Sequence, residues 1–263
     1  MLSGKASRLP PLPQHHLRDR SPTNATTSLA RIAGMNLLAI ETATESCSVA
    51  LLSGERLFAR SELAPRRHAE LLLPMCEEVL AEAGLARRGL DAIAVGCGPG
   101  AFTGVRLAVS AAQGIAFALG IPVVPVSSLA ALALQAPDND APILAVIDAR
   151  MGEIYAGWYR RTPGGLVEPI SVETVGQAGE LAVPSGGACN VIGSGWTTYR
   201  DVLRERVGEP SWADGDCYPQ AVDVARLAVP RMRDGVAPEF ALPVYLRDKV
   251  ALTLDEQRSN RAT

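Results

Sequence analysis

Two stretches of this 263-residue chain open in the same way, and that recurrence restricts the fold more than any other feature. Residues 35–41 form a short apolar run ending in the acid Glu41, and a second run, 47–53, follows. Residues 143–148 again end in an acid, Asp148, and 153–159 follow across a Met151-Gly152 turn. Short apolar runs bounded by polar or glycine residues read as strands joined by tight turns. The order β-β-β-α-β-α follows each opening. The expectation is an α/β chain of two duplicated subdomains, 35–135 and 136–250, with a cleft between them. Residues 1–34 read as a leader and 251–263 as a tail.

Within the first half, residues 56–61 form a third strand. Residues 66–83 change period, with Leu72, Met75, Cys76, Val79 and Leu80 on one stripe and Gly84 as the stop. Pro74 is expected to kink that helix. A strand at 91–95, a helix at 101–119 ending at Gly120, and a strand at 121–126 come next. Ser127 or Ser128 then N-caps a short helix through 135. The second half is expected to carry strands at 167–172 and 190–192, a helix-like stretch at 175–182, and a helix at 197–207.

Charge and composition remove several functions. Net charge is −3, and residues 1–34 contribute five cations and one acid, so removing that local +4 leaves −7 for the rest. Such a body has no basic field for gripping a phosphate backbone unaided. The three histidines are His15, His16 and His68, and the five cysteines are scattered, with no CxxC, HxxxH or HExxH spacing. A His/Cys metal site is disfavoured, and so is a secreted disulfide framework; a reducing, cytoplasmic setting fits. No apolar run approaches the roughly 20 residues of a membrane span. The Pro- and Arg-containing leader is open to three readings: sequence upstream of a natural start at Met35, a disordered tail, or a targeting segment.

The segment from Gly96 to Arg106 follows a strand and opens a helix, where free amides and the helix dipole face an anion. It matches neither a dinucleotide fingerprint, lacking the later ribose-binding acid, nor a P-loop, lacking the lysine. A tight turn with close backbone approach and a phosphate-proximal loop both remain open. Thr42, Gly98, Gly100 and Arg106 are the candidate nucleotide-proximal residues. The following helix is apolar on all sides, with Gly104, Ala108 and Ala111 in a flat strip, so it must be covered on all sides. A partner surface made of Leu72, Met75, Val79, Gly104, Ala108, Ala111, Ala112 and Ile115 stands against core packing inside the chain. Ala108→Glu is the variant expected to separate them.

The blocks Met35–Thr44, His68–Pro74, Gly98–Arg106, Val146–Tyr155 and Pro243–Arg247 together resemble the TsaB (YeaZ) family, over about residues 35–247. The resemblance implies an actin/Hsp70-like (ASKHA) fold. It implies a part in making N6-threonylcarbamoyladenosine (t6A) at position 37 of tRNAs that read codons beginning with A. It further implies a non-catalytic partner of TsaD, joined by the ATPase TsaE, meeting tRNA through the complex and pairing through residues 66–83 and 101–119. Whether the chain alone forms a homodimer stays open, an apolar helix pair without its partner favouring self-association.

The residues agree that this chain is not the catalyst. TsaD-type proteins hold a metal through HxxxH, whereas His68 is followed four positions later by Leu72. In the first-strand loop, Glu41 and Ala43 replace the Asp and Gly of the fold's usual ATPase pattern. No cofactor is expected to bind strongly, with ATP or ADP at the partner interface left open. Asp148, Arg150 and Glu153 read as a hairpin ordered by local ion pairs at the cleft. The competing readings are an ASKHA-type ATPase or kinase and a glycoprotease-like metallohydrolase.

Overall fold

The computed structural model describes residues 34–184 and 187–247; the leader through residue 33 and the tail at 251–263 lie outside the described residues. The first sheet is ordered β3-β2-β1-β4-β5, from Arg56–Leu63 (β3), Ser46–Ser53 (β2), Asn36–Glu41 (β1), Ala92–Gly96 (β4) and Val123–Val126 (β5). β1 pairs antiparallel with β2 and parallel with β4. Helices on one face are α1 (His68–Ala83), α2 (Phe102–Leu119) and, after β5, α3 (Ser128–Ala133) on the other. β1 and β4 are near-continuous apolar runs because both of their faces are covered. Gly84 and Gly120 end α1 and α2 in the left-handed conformation, at φ 66° and 68°. α1 runs as one helix through Pro74, which sits on the exposed side.

The second half repeats this order. β6 (Ile143–Arg150), β7 (Glu153–Arg161), β8 (Val167–Pro169), β9 (Thr174–Gln177), β10 (Asn190–Ile192) and β11 (Trp212–Asp214) form the sheet β11-β10-β6-β7-β8, with β9 also beside β7. α4 (Ser194–Val207) follows β10 as α2 follows β4, and α5 (Ala221–Ala228) follows β11 as α3 follows β5. Two expectations are corrected. The helix-like stretch at 175–182 is strand β9 plus a single 3-10 turn, because Thr174–Gln177 pair with Glu153–Ala156. β11 and α5 had no counterpart in the sequence reading.

The layers run α1/α2, first sheet, α3/α5, second sheet, α4. The middle layer is shared: α3 from the first half packs on β6, β7 and β8, and α5 from the second half packs on β1, β2, β4 and β5. The expected division at 135/136 therefore cuts across the packing. After α5 the chain stays with the first sheet, through the Val123–Val236 bridge and the buried Ala241.

Candidate functional site

A cleft of about 320 Å³ opens between the halves, between the loop after β1 (Ala43–Glu45), the start of α2, the β6–β7 hairpin and the strap Val244–Arg247. Its floor is set by Glu41, whose carboxylate is fully buried. Oε1 accepts the Ala43 amide at 2.6 Å and Oε2 accepts the Ser128 hydroxyl at 2.7 Å. Burial pushes this carboxyl up from its ordinary value, opposed by the hydrogen bonds from Ser128 and the backbone. A side chain at Gly96 would overlap the carboxylate, so the glycine and the acid require each other.

Of the candidate phosphate contacts, the Thr42 hydroxyl and the Arg106 guanidinium are already engaged inside the protein. Thr42 is fully buried and its hydroxyl donates to the Gly104 carbonyl at 2.7 Å, so it lies under the cleft rather than in it. The Ala101 amide, at the mouth of α2, donates to the Ala43 carbonyl at 2.7 Å. A Cβ at Gly100 or Gly104 would strike the backbone of Ala43 or Thr42, so the two loops close on each other where an anion would sit. Gly98, at φ 95°, faces the carbonyl of Val244 instead of the cleft floor. Of the four candidates, only Gly100 lines the cleft.

Arg106, on α2, packs against the strap. Its guanidinium stacks 3.5 Å from the Phe102 ring centroid, and its Nε donates to the Tyr245 hydroxyl at 2.5 Å. The Val244 amide donates to Cys97, and Arg247 binds Glu153 and the Ala149 carbonyl, so the strap joins the first half to the hairpin of the second. Across the rim, Arg150 bridges Asp148 at 2.9 Å and Glu45 at 2.6 Å. Every carboxylate in the hairpin thus has a cation. His68 donates from Nε2 to the Thr44 carbonyl at 2.8 Å, anchoring the loop after β1. Among the described residues no cluster of His, Cys, Asp or Glu is arranged to hold a metal ion.

The expected partner surface is turned inward. Leu72, Met75, Val79, Gly104, Ala108 and Ala112 are buried in the core between the helices and the first sheet, and Ala111 and Ile115 are half-buried beside them. The small-residue strip exists because α2 lies directly on the loop after β1, not because a foreign helix meets it. The opposite side of the same helices is uncovered. Leu73 is 55% and Phe117 79% exposed, and a Cβ at Gly114 would meet nothing within 4 Å. Against the expectation that no apolar run approaches a membrane span, α2 is long and apolar enough to cross one by length and composition alone. Sequence periodicity found the helices but assigned the wrong face. Ser128 was read as one of two possible N-caps, a role Ser127 takes, and Tyr245 as part of the Pro243–Arg247 block; neither reading placed them at the floor or the strap.

Duplicated sheets, each opened by an acid-ended strand and separated by a cleft with exchanged helices, define an α/β protein of the actin/Hsp70-like (ASKHA) class. A family profile described as "TsaD: tRNA N6-adenosine threonylcarbamoyltransferase" matches residues 60–200. The chain is 38% identical over 225 residues to the "tRNA threonylcarbamoyladenosine biosynthesis protein TsaB" of Escherichia coli (strain K12), covering 82% of this chain and 96% of that one. The Haemophilus influenzae protein of the same name is 48% identical over 124 residues, 46% of this chain and 52% of that one. The solved structure "YeaZ from Pseudomonas aeruginosa" superimposes with a TM-score of 0.75 at 43% identity, over 81% of this chain and all of the other. The chain belongs to the TsaB (YeaZ) family.

Proposed function

We propose that this chain acts in t6A biosynthesis as the non-catalytic, cytoplasmic subunit that pairs with TsaD, with TsaE joining the assembly and tRNA met through the complex. The names of its relatives support the pathway. The partnership rests on one observation: the outer face of α2 is uncovered, exposing Phe102 and Phe117, and carries Gly114 with open space around it. A glycine in mid-helix costs about 0.5–1 kcal/mol relative to alanine, and nothing inside the chain accounts for it. Close approach of a helix from another protein does. The engaged Thr42 hydroxyl and Arg106 guanidinium and the buried Glu41 carboxylate support the reading that the chain alone holds ATP or ADP weakly.

Reconstitution checks this. The chain, TsaD, TsaE and a supply of threonylcarbamoyl-adenylate should modify tRNA well above the mixture lacking the chain; equal rates would sink the proposal. Gly114→Leu fits the free chain and is expected to abolish co-purification with TsaD. Normal pairing of that variant would move the interface elsewhere.

A further inference from the structure

The strap ends a longer segment laid along α2. Val236 pairs with Val123 just beyond the C-terminal end of the helix, Gln113 donates to the Ala241 carbonyl at 3.0 Å, and Tyr245 meets Arg106 near the start. Residues 236–245 therefore run antiparallel to α2. Phe240 and Leu242, on either side of the Ala241 that Gln113 holds, are 68% and 63% exposed, and Phe117 lies one turn on from Gln113. The uncovered face of α2 thus continues onto this segment. Arg106 is the only charged residue in α2, and among the described residues it meets no carboxylate.

We propose that residues 248–254 turn back over this face, with Asp248 at Arg106 and Leu252 and Leu254 toward Gly114 and Phe117. The free chain then covers with its own tail the surface that TsaD takes, an inference that rests on the assignment of that face to TsaD. Asp248 follows Tyr245 by three positions, so its Cα lies within about 11 Å of that of the residue holding Arg106. Val250, Leu252 and Leu254 alternate along one face of an extended chain. The lengths agree. α2 advances roughly 12 Å from Arg106 to Gly114 and roughly 17 Å to Phe117. An extended chain covers about 13 Å from Asp248 to Leu252 and about 20 Å to Leu254. The contacts of Arg247 with Glu153 and the Ala149 carbonyl fix the point from which the tail sets out. A cover held in cis lowers a partner's apparent affinity by the fraction of time that the face is free.

Gly114→Cys combined with Leu252→Cys in the full, dilute chain should form an intramolecular disulfide on mild oxidation, read by mass spectrometry, and neither single variant should. Leu252→Asp combined with Leu254→Asp, which leaves the outer face of α2 untouched, should bind TsaD about fivefold more tightly than the parent, as expected if the tail covers the face four-fifths of the time. Asp248→Arg should shift binding in the same direction. A disulfide only between chains, or none, overturns the cis contact. TsaD binding left unchanged by the paired aspartates overturns the cover, and weaker binding does so by making the tail part of the TsaD contact. An intramolecular cross-link with TsaD bound by neither parent nor variant would keep the cis contact and overturn the assignment of the face to TsaD.

Discussion

Glu41 sits at the end of β1 with its carboxylate closed between the Ala43 amide, the Ser128 hydroxyl and the gap left by Gly96. Burial raises its pKa from the ordinary 4.5, so the folded chain keeps the proton to a higher pH than the unfolded chain does. Across that interval the native state binds more protons, and stability falls as pH rises until the raised value is passed. Glu41→Gln keeps the shape and supplies an amide donor toward Ser128 where the protonated acid has its hydroxyl. It is expected to remove the decline, so that thermal unfolding of variant and parent agree near pH 4 to 5 and diverge in the variant's favour above. Parallel stability curves over that range would show that Glu41 does not titrate there. An acid at this position was legible in the sequence. Its burial was not, because Ser128, which closes over it, comes from α3, 87 residues on.

At the scale of elements, local pattern was informative where one face decides the structure. The apolar runs of β1, β4, β6 and β10 and the glycine stops of α1 and α2 stand where periodicity put them. α5 shows what was readable but passed over: Ala221, Val224, Ala225 and Ala228 fall at i, i+3, i+4 and i+7 between Pro219 and Pro230. Eight residues are too few for a helix to hold by propensity, and α5 is fixed by its burial and by the Ala221 amide donating to Ser48 at 2.9 Å. β9 was misread because its register depends on β7 rather than on its own four residues. α2 was read correctly as a helix and wrongly as to its faces, since apolar residues all round leave the orientation to the sheet beneath. Two substitutions six residues apart separate those faces. Ala108→Glu places a carboxylate in a fully buried site without a partner, at a cost of several kcal/mol, and is expected to unfold the chain rather than release a partner. Gly114→Ala should instead raise the melting temperature, by the ~0.5–1 kcal/mol of helix propensity. If Ala108→Glu stays folded, with unchanged circular dichroism, the buried face has been misassigned.

For the whole molecule, the exchange of α3 and α5 between the halves decides how the duplication behaves. Each sheet needs the other half's terminal helix to cover its inner face, and both helices share the apolar cluster that contains Leu37, Leu129, Val224 and Tyr159. A fragment spanning 34–135 would leave the α5 side of β1, β2 and β4 in water, and α3 would have no second sheet to meet. The strap and the Arg150–Glu45 bridge add ties across the cleft mouth. The intact chain is therefore expected to unfold as a single cooperative unit, despite its two sheets. Intrinsic probes separate the halves. All three tryptophans, Trp158, Trp196 and Trp212, belong to the second sheet or its helix, whereas Cys47, Cys76 and Cys97 are buried in the first half. Burial pushes those thiols up to about 11, 12 and 12, so at pH 8 a disulfide reagent modifies them only once their half opens. In a urea titration, the shift of tryptophan emission and the modification of these three cysteines, resolved by mass spectrometry, should share one midpoint. Distinct midpoints would mean that the halves fold independently and that the exchanged helices contribute little to the stability of either sheet.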